Sequence, residues 1–196
     1  MEHDLITYLS RFISLTEEEA EALAEHNPVR TYATGSLLLE EGEIARTCWF
    51  ILKGCVRQYQ LRDGDEKTTF FYTEEDAIAP PGTLDNPAPS TFYLACVEDT
   101  TLIASDLDKI PEMYERFPKL ESLSFLLMGR HYDDTKKAFA SFRTTAPEKR
   151  YLNLLKTRPG LVQRVPQYQL ASYLGVTPES LSRIRRRISS KASDEG

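Results

Sequence analysis

Long apolar runs are missing from this 196-residue chain, and none approaches the roughly 20 residues that cross a bilayer. The acidic N-terminus has neither the basic nor the apolar region of a secretory leader. These two absences predict a cytoplasmic protein with no membrane partner. Cysteine is scarce too: Cys48, Cys55 and Cys96 are scattered and odd in number, which suggests reduced buried thiols rather than a disulfide framework. His3, His26 and His131 have no ligand spacing, so no metal site is expected. There is no glycine-rich phosphate loop, no nucleophile paired with a base, and no carboxylate pair that stands out from a solvated surface. Neither an enzyme nor a bound cofactor is expected.

What is present is an ordinary core-forming composition, 41% apolar and 28% charged. The net charge of −6 hides a division along the chain. Residues 144–196 hold ten Lys/Arg against four Asp/Glu, a balance of +6, whereas residues 1–143 hold fourteen against twenty-six, −12. A basic C-terminal module on an acidic body is the electrostatic pattern of a nucleic-acid reader attached to a domain that DNA does not touch.

The stretch from Val165 to Ile188 sharpens that reading. Leu170, Ala171 and Leu174 recur at helical spacing, and Gly175 can end the helix with positive φ. Thr177 is a good N-cap, and Pro178 fits the first helical position. Leu181, Ile184 and Ile188 then form one apolar stripe, leaving Glu179, Ser182, Arg183, Arg186 and Arg187 on the other faces. Two helices about a tight turn, the second basic and polar, suit a DNA-binding helix-turn-helix. The competing reading is a plain helical hairpin with a solvated charge run.

In chain order, a short helical stretch contains Leu5, Ile6, Leu9 and Phe12, and Thr16–Glu19 reads as a capping box opening a second helix. From Val29 to about Asp106, short β-branched and aromatic runs alternate with turns. Cys48–Leu52 reads as a buried strand, and Val56–Arg62 with Lys67–Tyr72 as a hairpin about Asp63-Gly64. Phe92–Val97 and Thr101–Ser105 add strands, giving an antiparallel β-roll or barrel of about 80 residues. The proline-rich segment 76–90 is either a pocket-capping loop or a rigid surface loop. After Leu107–Phe117 and a break at Pro118, Lys119–Phe142 reads as one long helix. Its seam Phe125, Met128, Tyr132, Thr135, Phe139 and Phe142 has a period near 3.5 and suits pairing with a second copy. A shorter stripe, Leu120, Leu123 and Leu127, suits packing on the β-roll, unless both stripes bury within one chain. Thr145–Glu148 reads as a further capping box, Arg143–Thr145 as a hinge, and Tyr151, Leu152, Leu154 and Leu155 as a supporting helix that ends near Pro159-Gly160. The fold class is therefore α+β, with a β-roll domain at 1–117, a dimerisation helix at 118–143 and a helix-turn-helix domain at 144–196.

This order resembles the Crp/Fnr family of bacterial transcription regulators over nearly the whole chain. The resemblance is carried by Thr34-Gly35-Ser36, Glu41-Gly42-Glu43, Trp49–Gly54 and, more specifically, Leu170–Ile184. It implies a cyclic-nucleotide-binding-like β-roll, a homodimer, a near-palindromic double-stranded DNA operator and RNA polymerase as a partner. It also implies that Glu179, Ser182 and Arg183 read bases, while Gln167, Thr177, Arg186 and Arg187 are candidate phosphate contacts. The candidate effector loop comprises Pro81, Gly82, Thr83, Ser90 and Thr91. Family members that bind cyclic nucleotides carry Gly-Glu and Arg-Ser pairs there. This loop has neither the Glu nor the Arg, so tight cAMP binding is not expected and any small-molecule effector is a different one. The N-terminal cysteine cluster of iron–sulfur members is also missing, and few residues follow Ile188 to build the family's β-hairpin wing. The leading function is a DNA-binding transcription regulator; the alternative is a ligand-binding module acting through protein partners without DNA.

Overall fold

The computed structural model describes residues 4–79, 81–82 and 86–194. Two short helices come first, α1 (Asp4–Leu9) and α2 (Glu17–His26). The expected capping box is formed: the Glu19 N–H donates to Thr16 Oγ1 at 3.3 Å, and the Thr16 N–H donates to Glu19 Oε2 at 2.7 Å. Eight strands follow: β1 (Val29–Tyr32), β2 (Leu37–Leu39), β3 (Thr47–Lys53), β4 (Val56–Arg62), β5 (Asp65–Tyr72), β6 (Ala77–Ile78), β7 (Tyr93–Cys96) and β8 (Thr100–Asp106). The β4–β5 turn places Asp63 at φ 55° and Gly64 at φ 83°, the pair of positive angles that a two-residue Asp-Gly hairpin turn needs.

The strands form two four-stranded sheets, ordered β1-β8-β3-β6 and β2-β7-β4-β5. In the first, β8 runs antiparallel to both neighbours, with Ile103 opposite Val29 on one side and Phe50 on the other. Leu39, Trp49, Ile51, Val56, Leu94 and Leu102 cluster as one core. The fold is thus α+β with an antiparallel β-roll.

A 3₁₀ turn (Leu107–Lys109) leads into α3 (Ile110–Arg116) and the 27-residue α4 (Pro118–Thr144). The break expected at Pro118 is present: α3 ends at Arg116, Phe117 is non-helical, and Pro118 opens α4. Leu120 and Leu123 are buried with Leu9, Ala22, Leu23 and Phe117. The short stripe therefore packs on the N-terminal helices and not on the β-roll strands as expected; the Leu127 side chain lies outside the described residues. Tyr8 of α1 meets Phe50 of β3 with ring centroids 4.9 Å apart, so the helices cover the outer face of the first sheet. Residues 1–58 and 71–134 make one compact unit, and residues 59–70 with 135–196 make the other.

In the second unit lie α5 (Pro147–Thr157), α6 (Pro159–Arg164), α7 (Gln167–Tyr173) and α8 (Pro178–Asp194). One local expectation fails here. The N-cap of α5 is Ala146, which makes no side-chain cap bond, and not Thr145, because α4 runs on through Thr144. The non-helical link is accordingly Thr145-Ala146 and not Arg143–Thr145. The supporting helix α5 ends at Thr157, just before Pro159-Gly160 as expected, and that pair then opens α6, where proline fits the first turn because its missing N–H is not needed there.

Candidate nucleic-acid interface

The α7–α8 pair rests on a small apolar core of Tyr151, Leu154, Leu161, Leu170, Leu174 and Leu181, all buried. At the end of α7, Gly175 adopts φ 67°. The Gly175 N–H donates to the Ser172 carbonyl and the Val176 N–H to the Ala171 carbonyl, both at 3.0 Å. That pairing is a Schellman turn, which satisfies carbonyls the helix end would otherwise leave open. Thr177 then caps α8, its Oγ1 accepting from the Ser180 N–H at 3.3 Å.

Along α8, Leu181 and Ile184 are buried and Ile188 is half-buried, as the stripe predicts. Glu179, Arg183 and Arg186 are exposed, and Ser182 is half-buried. At 100° per residue, Glu179, Ser182, Arg183 and Arg186 fall on one face, opposite the stripe. Arg183 Nη2 donates to Ser180 Oγ at 3.2 Å. The Glu179 carboxyl is held below the usual carboxylate range by backbone N–H donation at the helix start. The Thr177 hydroxyl helps, and Arg183 adds a smaller pull.

The flanking groups are engaged differently. Arg187 donates to Glu148 at the start of α5. Gln167 is exposed and accepts from Arg185 at 3.4 Å, so Arg185, which the sequence reading passed over, flanks the same surface. Within the second unit, the Thr68 N–H at the β4–β5 hairpin donates to Ser172 Oγ at 2.9 Å.

The long seam of α4 is open to solvent in the single chain. Phe125 is 72% exposed and Phe139 62%, and Met128, Tyr132, Thr135 and Phe142 are exposed as well.

In the β-roll loop, Gly82 sits at φ 93° and bridges Pro87; Thr83 lies outside the described residues. Ser90 is 3% exposed, and its polar groups are spent inside the protein. Its Oγ donates to the Phe92 carbonyl at 2.7 Å, and its N–H donates to the Glu43 carbonyl at 2.8 Å. Pro81 is half-buried and Thr91 exposed. Of the two arginines on β4, Arg57 is buried, and Arg62 is exposed and donates to Gln60 at 3.2 Å. Among the described residues no cluster of His, Cys, Asp or Glu could hold a metal ion, and no helix is long and apolar enough to cross a membrane.

Known proteins share this architecture. Residues 29–117 match the family model of the cyclic nucleotide-binding domain. The cyclic AMP receptor protein of Thermus thermophilus is 25% identical over 178 residues, covering 88% of this chain and 82% of that protein. FixK2 from Bradyrhizobium japonicum superposes with a TM-score of 0.71 at 17% identity, over 85% of this chain and 86% of that one. The c-di-GMP-responsive regulator CLP of Xanthomonas campestris gives 0.70 at 16% identity, over 90% and 93%. At such identities the two structural likenesses speak for the fold. Residues 29–117 thus match a cyclic nucleotide-binding domain, and most of the chain's length shares the fold of these two solved structures.

Proposed function

We propose that the protein binds double-stranded DNA as a homodimer and regulates transcription in response to something other than cAMP. The observation that carries this reading is the face of α8: Glu179, Ser182, Arg183 and Arg186 aligned opposite the buried Leu181–Ile184 stripe, on a module of charge +6. Glu179 and Arg183, four residues apart, project into one major groove, where arginine matches the two acceptors of guanine and glutamate accepts from cytosine N4. The cations and Gln167 around them hold phosphates and set register.

The dimer forms along the exposed seam of α4, because a helix presenting five large apolar side chains to water is stabilised by covering them with a second copy. On this reading residues 1–117 form the effector-type domain, 118–143 the dimer helix and 144–196 the DNA reader. Although the Thermus relative is named for cyclic AMP, this loop lacks the arginine and glutamate that would hold a cyclic phosphate and ribose. Its buried Ser90 hydroxyl is already bonded to Phe92.

The decisive experiment is selection of bound sequences from a random duplex pool. The expected result is a near-palindrome with a G·C pair in each half-site, its halves about one helical turn (~34–36 Å) apart; that spacing is a general figure for a group of proteins that includes a family member. Failure to enrich any sequence would overturn the reading.

A further inference from the structure

The end of α4, the start of α5 and the α7–α8 turn are joined through one side chain. Arg150, on α5, donates from Nη1 to the carbonyls of Phe142 and Thr145, both at 2.9 Å. Its Nη2 donates to the Leu174 carbonyl at 2.8 Å. Phe142 is in the last turn of α4 and Leu174 is the C-cap of α7. A single guanidinium thus satisfies carbonyls at the negative ends of two helices, which no intrahelical donor can reach. The guanidinium carbon also lies 4.3 Å from the centroid of the Phe142 ring. The far edge of that ring rests on Gly175, where an added Cβ would come within 2.9 Å of Phe142 Cζ. Phe142 is therefore held between the arginine and the turn.

We infer that Arg150 and Phe142 are positioning residues that fix the reading helix at a set angle and distance from the dimer helix, and so set the half-site spacing the protein accepts. The inference rests on the DNA reading proposed above. Its physical basis is the fixed geometry of the guanidinium fork. A rigid fork 4.3 Å from the ring centroid and bonded to two helix ends leaves little freedom for α7 and α8 to swing about the two-residue link Thr145-Ala146. Neither residue touches the proposed DNA face of α8, so their loss acts on spacing and not on base preference.

The test uses the full-length chain with R150K, which keeps a cation but loses the fork, and with R150Q, which keeps a donor but loses both fork and charge. The probes are the operator enriched by the parent protein and two versions with the half-sites one base pair closer or farther apart. The parent is expected to prefer its own spacing by about tenfold or more, and each variant by less than about threefold, with the selected half-site unchanged. Should R150K fail to fold, R150Q decides on the same outcomes. Spacing preference equal to the parent's, or affinity lost equally at every spacing, overturns the inference alone. A parent protein that enriches no sequence defeats the DNA reading and this inference together.

Discussion

Arg187, near the middle of α8, is ion-paired with Glu148 in the first turn of α5, whereas Arg186 beside it faces solvent with no partner among the described residues. Two adjacent arginines of equal charge are thereby given different work.

The first prediction follows from that difference. Arg186→Ala should weaken binding to all sequences alike and flatten the salt dependence by about one unit of slope, as loss of one phosphate contact does. Sequence alone predicts the same of Arg187. The pairing with Glu148 makes Arg187→Ala a smaller loss in DNA affinity, together with a loss of about 0–1 kcal/mol in module stability, since the pair is partly exposed. Salt-series binding and thermal melts of both variants distinguish them; identical slopes for the two would contradict the assignment.

Arg183→Ala should behave otherwise, costing about 1–3 kcal/mol on the selected operator and relaxing preference at one base pair. Titration against operator and scrambled DNA measures both quantities. An equal loss on the two would remove Arg183 from base reading.

Phe139→Asp should convert the dimer to monomer. The side chain is 62% exposed in one chain, so the monomer tolerates the charge, but burying it unpaired at a two-fold seam is costly by several kcal/mol. Sedimentation at micromolar concentration is the measurement, and a persistent dimer would move the interface elsewhere.

Cyclic AMP should bind more weakly than micromolar by calorimetry. Without the loop arginine the site forgoes a charge-assisted contact worth roughly 1.5–3 kcal/mol. Tight binding would require another cation, and the buried Arg57 would then be the first to replace.

Stability should fall at alkaline pH in a window set partly by Tyr72. Burial, with a smaller push from Asp76, moves its phenol from 10.0 to about 12, and its hydroxyl donates to Gln58 at 2.9 Å. A raised folded-state value means the neutral form is favoured by folding. The contribution is therefore complete below pH ~10 and is lost as pH climbs to ~12, by about 3 kcal/mol in all. Denaturant unfolding across that range should show a shallower decline in Tyr72→Phe; an unchanged decline would assign the effect to other groups.

Much of this molecule is written in runs of neighbouring residues. Thr16 with Glu19, the Asp63-Gly64 turn, the end of α7 at Gly175 and the cap at Thr177 all take the form their local chemistry dictates. The apolar spacing of α8 likewise identifies its buried stripe, and through it the exposed Glu179 and Arg183. These features depend on one to eight consecutive residues, where backbone preference and side-chain reach decide the outcome.

Other features were decided by partners distant in sequence. Leu120 and Leu123 could have packed on either face of the fold, and it is the N-terminal helices, about a hundred residues earlier, that cover them. Ser90 looks like a ligand group until its hydroxyl is found bonded to the Phe92 backbone. The N-cap expected at Thr145 rested on a sound local motif, and it falls at Ala146 because α4 continues to Thr144. Arg150 carries no motif at all: its role comes from helix ends 8 and 24 residues away. Sequence determined which residues cap, turn and alternate, since those energies are local. Tertiary structure decided what each exposed or half-buried group meets, since that depends on which surfaces the folded chain brings together.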